Sequence, residues 1–380
     1  MRIRASYTSY AMPFRDVLGH RRLVALLARS VRRESLPPSL IFAGPAGIGK
    51  RLAAVATAQA LNCTNPISSG DSASDSGDSA SVVAQVFRPA VGDAVQTLRP
   101  AVDEGTLELD ACGTCTACVR IARGVHADVL LVEPGETGSI KIEQVRDLID
   151  RAAYRPFEGR KRVVIINEAD ALVAPAQNAL LKTLEEPPSS SVFMLITSRP
   201  DVLLPTIRSR CPRLQFRPLT ADDIAAALVR RGLRETDARA IAATADGSLG
   251  RALDLSASDL VAAREVAQQV LAHAAASDDP RRRIEGAKDL LAKTGTGDRE
   301  QLASHLRAMA SLLRDVEVLS TRADVRALAN PDVKPALERL APAYQGERGV
   351  RAFTAVDRAL MALDRNAGVK IVADWLVLQL

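Results

Sequence analysis

A glycine-rich stretch at residues 44–51 has the residue types that hold phosphate groups. It reads GPAGIGKR, follows the apolar run 40–43 and precedes a helix-prone segment at 52–61. In such a loop, backbone N–H groups and the helix N-terminus contact the phosphates, and the lysine reaches the outer ones. The candidate nucleotide-binding residues are Gly44, Gly47, Gly49 and Lys50. The next residue should be Ser or Thr, whose hydroxyl binds Mg²⁺, but it is Arg51. The stretch is either a flawed nucleotide site or a fold element without its chemistry.

Four cysteines form a second candidate site. Cys112, Cys115 and Cys118 have the spacing C-x2-C-x2-C, and 48 residues separate Cys63 from Cys112. Four thiolates suit tetrahedral Zn²⁺, with Zn–S distances near ~2.3 Å, and leave no open coordination position. A reducing cytosol argues against disulfides. We therefore predict a structural zinc ion rather than scattered buried cysteines. Because the long spacer carries no geometric information, His126 is kept as a weaker alternative to Cys63.

The residues after the apolar run 163–166 are typical of a metal and water site, with one departure. In nucleotide hydrolases the first acid after this strand holds Mg²⁺ through water, and a following Glu polarises the attacking water. Here Asn167 stands in the first position and Glu168 in the second. A neutral amide is a poor Mg²⁺ partner, so we do not expect ATP hydrolysis at this site.

A cationic turn at 208–211 reads RSRC. Two arginines at the end of a short helix are able to reach a phosphate on a neighbouring chain, although the same residues fit a solvent-exposed basic turn. Thr197 and Ser198, at the tip of another predicted strand, either sense a phosphate or cap a turn.

These residues require a parallel sheet flanked by helices. Continuous apolar runs are typical of strands buried on both faces, and helical periodicity fills the segments between them. The predicted strands are 40–43, 128–132, 163–166 and 192–196, and the predicted helices are 14–35, 52–63, 140–153 and 176–186. This order predicts an α/β P-loop domain with a parallel sheet.

Length and composition favour several domains. With 380 residues, two or three domains are the natural expectation. We place the P-loop domain at 1–216, a small helical domain at 217–256 and an all-α domain at 257–380. In the last, Phe353, Val356, Leu360 and Leu363 form one apolar stripe, followed by Val372, Trp375 and Leu376. Such stripes pack a bundle within one chain; whether they also join subunits is not visible from periodicity.

Charge is unevenly distributed. Residues 64–110 contain eight acidic residues against two arginines, a net charge of −6, while the whole chain carries +5. Serine fills half of 68–81, so we predict a mobile acidic insertion at 64–110. A basic body suits nucleic acid or is simply a solvated surface. No apolar run approaches the ~18–20 residues of a membrane span, and residues 1–14 lack a signal-peptide core. We expect a cytoplasmic protein.

The order of these parts resembles the bacterial clamp-loader subunits of DNA polymerase III, which are AAA+ proteins. The resemblance rests on the phosphate loop, the cysteines after its helix, NEAD at 167–170, LLKTLEEPP at 180–188 and SRC at 209–211. It covers nearly the whole chain, strongly over 36–63 and 112–216 and weakly after about 257. It implies a helical lid at 217–256 and a collar for oligomerisation at 257–380.

Within this family, the chain is more similar to the delta-prime type than to the ATP-hydrolysing gamma/tau type. The motor subunit is expected to have Thr or Ser at Arg51 and Asp at Asn167. No tau-like extension is expected after Leu380. The gamma/tau type remains the alternative, and an AAA+ adaptor unconnected with replication is a third. The acidic insertion departs from the family spacing, and the retained Lys50 leaves nucleotide binding open.

The resemblance implies a role for Arg210 as an arginine finger offered to ATP on the adjacent subunit. Arg251 matches the family's second sensor position, with a structural role here. The implied cofactor is structural zinc; ATP binding is open, without hydrolysis. The implied partners are gamma/tau and delta subunits in a ring, and, through it, the sliding clamp and primed DNA. The chain would then be part of the DNA-directed DNA polymerase III holoenzyme.

Overall fold

The computed structural model describes residues 12–68, 107–135, 137–255, 257–276, 279–291, 298–321, 328–365 and 367–380. The chain divides into two compact units, one from Arg4 to Leu219 and the other chiefly from Thr220 to Leu380. Each unit has its own core. The first contains both candidate sites, and the second is helical.

The first unit is a parallel sheet covered by helices. Its described strands are β1 (Ser39–Ala43), β2 (Ile67–Ser68), β3 (Leu109–Asp110), β4 (Val129–Val132), β5 (Arg162–Ile166), β6 (Ser191–Thr197) and β7 (Arg213–Gln215). Its described α-helices are α1 (Arg21–Arg32), α2 (Lys50–Asn62), α3 (Thr116–Ala122), α4 (Ile142–Ala153), α5 (Ala174–Glu185) and α6 (Pro205–Arg210). Five strands pair in the order β4-β5-β6-β1-β7, all parallel.

The central strands are mostly apolar, with polar residues only at their ends, because both of their faces are covered. Every residue of β1, β5 and β6 is buried. Leu40 and Phe42 of β1 join the core beneath α1 and α2, whereas Ile41 and Ala43 join the core beneath α4 and α5. The predicted parallel α/β sheet is confirmed. The edge strand β7 was missed because its three residues alternate exposed, buried and exposed.

The predicted helix at 14–35 was wrong in one respect. A short 3₁₀ turn at Phe14–Asp16 comes first, and α1 begins only at Arg21. Gly19 and His20 have φ angles of 65° and 51°. Left-handed conformations at these two residues interrupt any continuous helix.

The two ends of the predicted insertion at 64–110 differ from our expectation, because they pair with each other and pack on the first unit. Residues 69–106, for which we predict mobility, lie outside the described residues. At its two ends, β2 and β3 pair antiparallel, with Ile67 opposite Asp110. The return segment packs on the domain: Glu108 pairs with Arg29 at 2.6 Å. Residues 107–110 therefore belong to the fold.

The second unit is all-α in its described residues. Its helices are α7 (Ala221–Arg230), α8 (Glu235–Thr244), α9 (Leu249–Asp254), α10 (Ala257–Ala276), α11 (Pro280–Leu291), α12 (Asp298–Ser320), α13 (Lys334–Tyr344), α14 (Glu347–Asp364) and α15 (Val369–Gln379). The predicted helical C-terminal region is confirmed, whereas its division at about 256 into lid and collar stays a prediction.

The predicted apolar stripe of the last helices was only partly right. Val356, Leu363 and Leu376 are buried in the core of the second unit. Phe353 is 44% exposed and Trp375 is 37% exposed. Periodicity placed these aromatic side chains on the buried face, but they lie at its margin. Among the described helices, none combines the length and hydrophobicity needed to cross a membrane.

Candidate functional site

The four cysteines of the predicted metal site lie together. The Sγ atoms of Cys63, Cys112, Cys115 and Cys118 are all within 4.8 Å of one another. Tetrahedral zinc with Zn–S bonds of ~2.3 Å would require S···S separations of about 3.8 Å. The Cys63 and Cys115 sulfurs are 3.9 Å apart. The donor set therefore fits a tetrahedral thiophilic cation after small side-chain adjustments.

Secondary structure fixes the positions of these thiols. Cys63 follows the last residue of α2, Cys115 precedes the first residue of α3, and Cys118 lies in the first turn of α3. Gln59 of α2 donates to the Cys118 carbonyl at 3.0 Å, which ties the two helices together. Arg160 donates to three carbonyls at the end of α2, including that of Cys63 at 3.2 Å. These hydrogen bonds hold the end of α2 and the start of α3, and with them the cysteines, in place.

A buried carboxylate holds the strand that leads to Cys112. Asp110 accepts backbone N–H bonds from Phe14 at 2.7 Å and Ala111 at 2.8 Å, and a side-chain bond from Arg15 at 2.9 Å. Arg15 also donates to the Cys112 carbonyl at 3.0 Å. The N-terminal segment thereby supports the turn that carries Cys112, a contact that sequence spacing did not indicate.

The environment of the thiols suits a metal centre. Backbone N–H groups of Cys112 and Cys115 donate to the sulfurs of Cys63 and Cys112, at 3.3 and 3.2 Å. Such donors stabilise thiolates. Burial raises the pKa of the Cys118 thiol well above its usual range. A bound cation would keep that sulfur deprotonated. Cys211, the fifth cysteine, is buried elsewhere in the sheet core.

His126 is not part of the cluster. Its Nδ1 accepts the backbone N–H of Asp128 at 3.1 Å, and its Nε2 lies 3.7 Å from Glu158. The imidazole is buried by these contacts. Cys63, rather than His126, is the fourth member of the group that the structure brings together.

The phosphate loop lies where the sequence indicated, between β1 and α2. Gly44, Gly47 and Gly49 have φ angles of 148°, 73° and 100°. A Cβ atom on Gly44 would lie 2.3 Å from the Phe216 carbonyl, so glycine is required at that close approach. The three glycines thus adopt backbone conformations that other residues rarely take, and phosphate binding by the loop stays a prediction.

Lys50 is turned into its own loop. Its Nζ donates to the carbonyls of Gly44 at 2.6 Å and Pro45 at 2.5 Å, and the residue is only 6% exposed. Burial lowers the pKa of Lys50 to about 8, although Asp170 and Glu168 act in the opposite direction. The carbonyls of its own loop thus satisfy the ammonium group, and the described residues include no ion-pair partner for it.

The metal half of this site is replaced by an internal contact. Arg51 forms an ion pair with Glu133 at 2.7 Å, and Asn167 donates to the same Glu133 oxygen at 3.1 Å. The two residues that replace Mg²⁺ ligands thus converge on one carboxylate. Sequence reasoning missed Glu133. The available signal was its position directly after β4, since neighbouring parallel strands end at the same sheet edge.

The other polar residues at this edge are engaged with one another. Glu168 is exposed and has a φ of 53°. Thr197 Oγ1 donates to Asp170 at 2.9 Å, and Arg199 Nε lies 3.0 Å from the same carboxylate. Thr197 therefore contributes to the turn after β6, and its possible contact with a phosphate stays a prediction.

Arg210 is the last residue of α6, and its guanidinium makes two contacts. Its Nη1 donates to the Thr206 carbonyl at 2.9 Å, and its Nη2 forms an ion pair with Glu185 at the end of α5. The side chain is 35% exposed. Cys211, the next residue, is anchored in the core. The backbone at Arg210 is therefore fixed by its buried neighbour, while the arginine side chain is partly exposed.

Arg251 lies in the second unit and pairs within it. Its Nη1 is 3.6 Å from Asp246, which also lies 3.3 Å from Arg307 Nε. The contact joins α9 to the loop before it and to α12, which is consistent with the structural role expected of Arg251.

Comparisons with known proteins cover part of the chain. The family model "DNA polymerase III, delta subunit" matches residues 93–220. The delta' subunit of Pseudomonas aeruginosa DNA polymerase III is 34% identical over 52% of this chain and 48% of the relative. The tau subunit of Bacillus subtilis is 29% identical over 64% of this chain and 37% of the relative. The matches thus span about half, or less, of these relatives' own lengths.

Structural similarity adds little. A DNA polymerase III gamma subunit-related protein from Thermotoga maritima matches 68% of this chain and 86% of its own, with 20% identity and a TM-score of 0.35. Sequence similarity, the matched family model and the parallel P-loop sheet agree with one another. Over about half of its length, the chain is therefore similar to clamp-loader subunits of DNA polymerase III.

Proposed function

We propose that this chain is the delta-prime type of clamp-loader subunit. It does not turn over ATP at its own loop, but completes a ring with gamma/tau and delta subunits and offers Arg210 to ATP on its neighbour. The ring would load the sliding clamp onto primed DNA during replication in the cytoplasm. The observation that carries this proposal is the Arg51–Glu133–Asn167 contact, which fills the metal half of the local site.

The contact matters because phosphoryl transfer relies on a metal ion. Mg²⁺ bridges the phosphates and neutralises charge that develops in the transition state. Its protein-side ligands would be a hydroxyl at position 51 and a carboxylate at position 167, and neither is present. Guanidinium carries one charge and cannot coordinate oxygens as a divalent ion does. Lys50 alone would bind phosphates without activating them.

Arg210 is suited to act on a neighbour's phosphate. Its ion pair with Glu185 is partly solvated, with side chains 35% and 46% exposed. Pairs of this kind are worth about 0–1 kcal/mol. The guanidinium can therefore exchange Glu185 for a phosphate at little cost. A cation delivered to the γ-phosphate is worth ~10³–10⁵ in rate where a finger is strictly required.

A reconstituted loader tests the finger. Arg210→Ala should leave assembly intact while lowering ATPase activity of the complex by about 10³ for the site it serves. Arg208→Ala is the matched control, since Arg208 lies on the same helix and pairs with Asp201. The complex should retain its activity with that variant. An unchanged rate with Arg210→Ala would refute the role, provided that size-exclusion chromatography shows equal assembly.

The gamma/tau type is the rival, favoured by the retained Lys50 and by the tau-type relative. The purified chain separates the two proposals. DNA-stimulated ATP hydrolysis that disappears with Lys50→Ala would establish the motor type. Absence of turnover, with stimulation of gamma/tau activity when this chain is added, would support delta-prime.

We also propose that the four cysteines hold one structural zinc ion. Cys63, Cys112, Cys115 and Cys118 would supply all of its ligands, so no position remains for substrate. The ion would join the end of α2 to the start of α3 and take no part in the reaction. Its chemistry is soft thiolate coordination, which stabilises the fold.

A further inference from the structure

A pair of exposed aromatic side chains lies between α4 and β5. Phe157 is 85% exposed and Tyr154 is 70% exposed. In the part of the chain that the structure describes, the other exposed aromatic side chains are Phe353 at 44% and Trp375 at 37%. Aromatic residues make up only 3% of this sequence. The exposure of two of these few aromatic side chains within one short turn therefore needs a physical explanation.

The exposure of Phe157 is built into the fold. Asp128, which is fully buried, accepts backbone N–H bonds from Phe157, Glu158 and Gly159 at 2.7, 2.8 and 2.7 Å. Arg162 donates to the same carboxylate at 2.8 Å. Burial works against ionisation, but these donors hold the pKa of Asp128 at about 2. The backbone is pinned while the ring projects outward.

The surroundings of the rings are basic. Residues 151–161 contain four Arg or Lys and one acid, a net charge of +3, and the charge of Arg162 is compensated by Asp128. Arg151 and Arg155 are exposed and, with both rings, line an open pocket of about 420 Å³. Arg151 pairs with Asp147 at 3.8 Å across solvent, a weak contact. Arg155 has no ion-pair partner among the described residues.

We propose that this turn is a binding site for single-stranded nucleic acid. Proteins that bind single strands combine cations, which follow the phosphates, with aromatic rings on which bases stack. Tyr154 and Phe157 would supply the stacking platform, and Arg151 and Arg155 the phosphate contacts. The charge of the turn favours a polyanion over an apolar peptide. The inference stands independently of the proposed finger and of the zinc site.

Fluorescence anisotropy of a labelled oligothymidylate, titrated with the full chain at about 50 mM salt, tests the site. Phe157→Ala should weaken binding about tenfold or more, and Phe157→Leu should weaken it similarly, because stacking needs the ring. Phe353→Ala is the matched control, an exposed aromatic in the second unit, and should bind like wild type. Both positions are solvent-exposed, so the variants should keep the wild-type melting temperature.

Salt dependence tests the arginines. For single strands, the slope of log K against log salt is about −0.7 per phosphate contact. Arg151→Gln combined with Arg155→Gln should therefore flatten it by about 1.4. Equal binding by wild type and Phe157→Ala, or no binding by wild type, would overturn the proposal. So would a photo-crosslinker at position 157 that, in an assembled loader with DNA, captures only polypeptide.

Discussion

The two ends of α2 provide a direct comparison, since one helix carries both candidate metal positions. At its N-terminus, Lys50 and Arg51 open the phosphate loop, and at its C-terminus Cys63 joins three other thiols. The helix has 13 residues, so the ends lie about 20 Å apart. One end keeps a complete donor set for a cation. The other has an internal cation where a metal would lie.

The contacts at the two ends of α2 differ in burial. The thiols are held by buried or backbone contacts from Arg15, Asp110 and Arg160. The Arg51–Glu133 contact is solvent-exposed on both sides, with 44% and 41% exposure. We therefore expect the fold to depend more on the contacts at the C-terminal end of α2 than on the exposed Arg51–Glu133 pair at its N-terminal end.

Loss of the metal should have the largest effect. Purified protein should contain about one zinc ion per chain, and Cys115→Ser should lose it. Because thiolate coordination joins segments that are distant in sequence, its loss should cost several kcal/mol and lower the melting temperature by roughly 10 °C. Elemental analysis and calorimetry measure both. Cys211→Ser is the matched control and should keep its zinc, even if the loss of packing destabilises it. A zinc-free wild type would contradict the prediction.

Replacing Lys50 should have the next largest effect on stability, and removal of its buried charge should be stabilising rather than destabilising. Burial lowers its folded-state pKa to about 8 from 10.5, so the folded state carries a cost that is complete below pH 8. The cost disappears as the pH rises towards 10.5. Lys50→Met removes this cost, although it also removes the hydrogen bonds to the Gly44 and Pro45 carbonyls, so any stabilisation should be larger at pH 7 than at pH 10. Denaturant unfolding at pH 7 and pH 10 measures the difference. An advantage that is equal at both pH values would disprove the assignment.

Restoring the metal ligands tests the N-terminal end. Arg51→Thr combined with Asn167→Asp should make nucleotide binding at least about tenfold tighter with Mg²⁺ than with EDTA. Wild-type affinity should be the same in both conditions, because Arg51 occupies the metal half of the site. Binding of a fluorescent ATP analogue measures this. If nucleotide binding by the wild type also depended on Mg²⁺, Arg51 would not occupy the metal half of the site.

Loss of the supporting carboxylates should show the smallest effect at the N-terminal end. Glu133→Gln should change the free energy of unfolding by less than about 1 kcal/mol, since its ion pair is exposed. Asp110→Asn is the matched variant at the other end, where buried N–H donors lose their acceptor. It should cost about 1–3 kcal/mol. Denaturant titration of both proteins measures this, and similar values would erase the contrast.

The sheet and the residues of both sites could be predicted because their signals are local. Strands β1, β5 and β6 are apolar on both faces, and the cysteine and glycine spacings are short. Glu133 was missed because its partners come from two other elements, and only strand order brings them together. Phe353 was misplaced because periodicity identifies a face and not its margin. Cys63 stayed uncertain because 48 residues of spacer carry no geometry.

The short ladder between β2 and β3 makes the cysteine cluster tolerant of insertions. Ser68 and Leu109 lie opposite each other, so the chain between them leaves and returns at one place. For two ends fixed in this way, the entropy of closing the loop grows only logarithmically, by about 0.6 kcal/mol for each doubling of length. Lengthening or shortening 69–106 therefore need not move Cys63 relative to Cys112. That segment is a natural position for a fused reporter or affinity label.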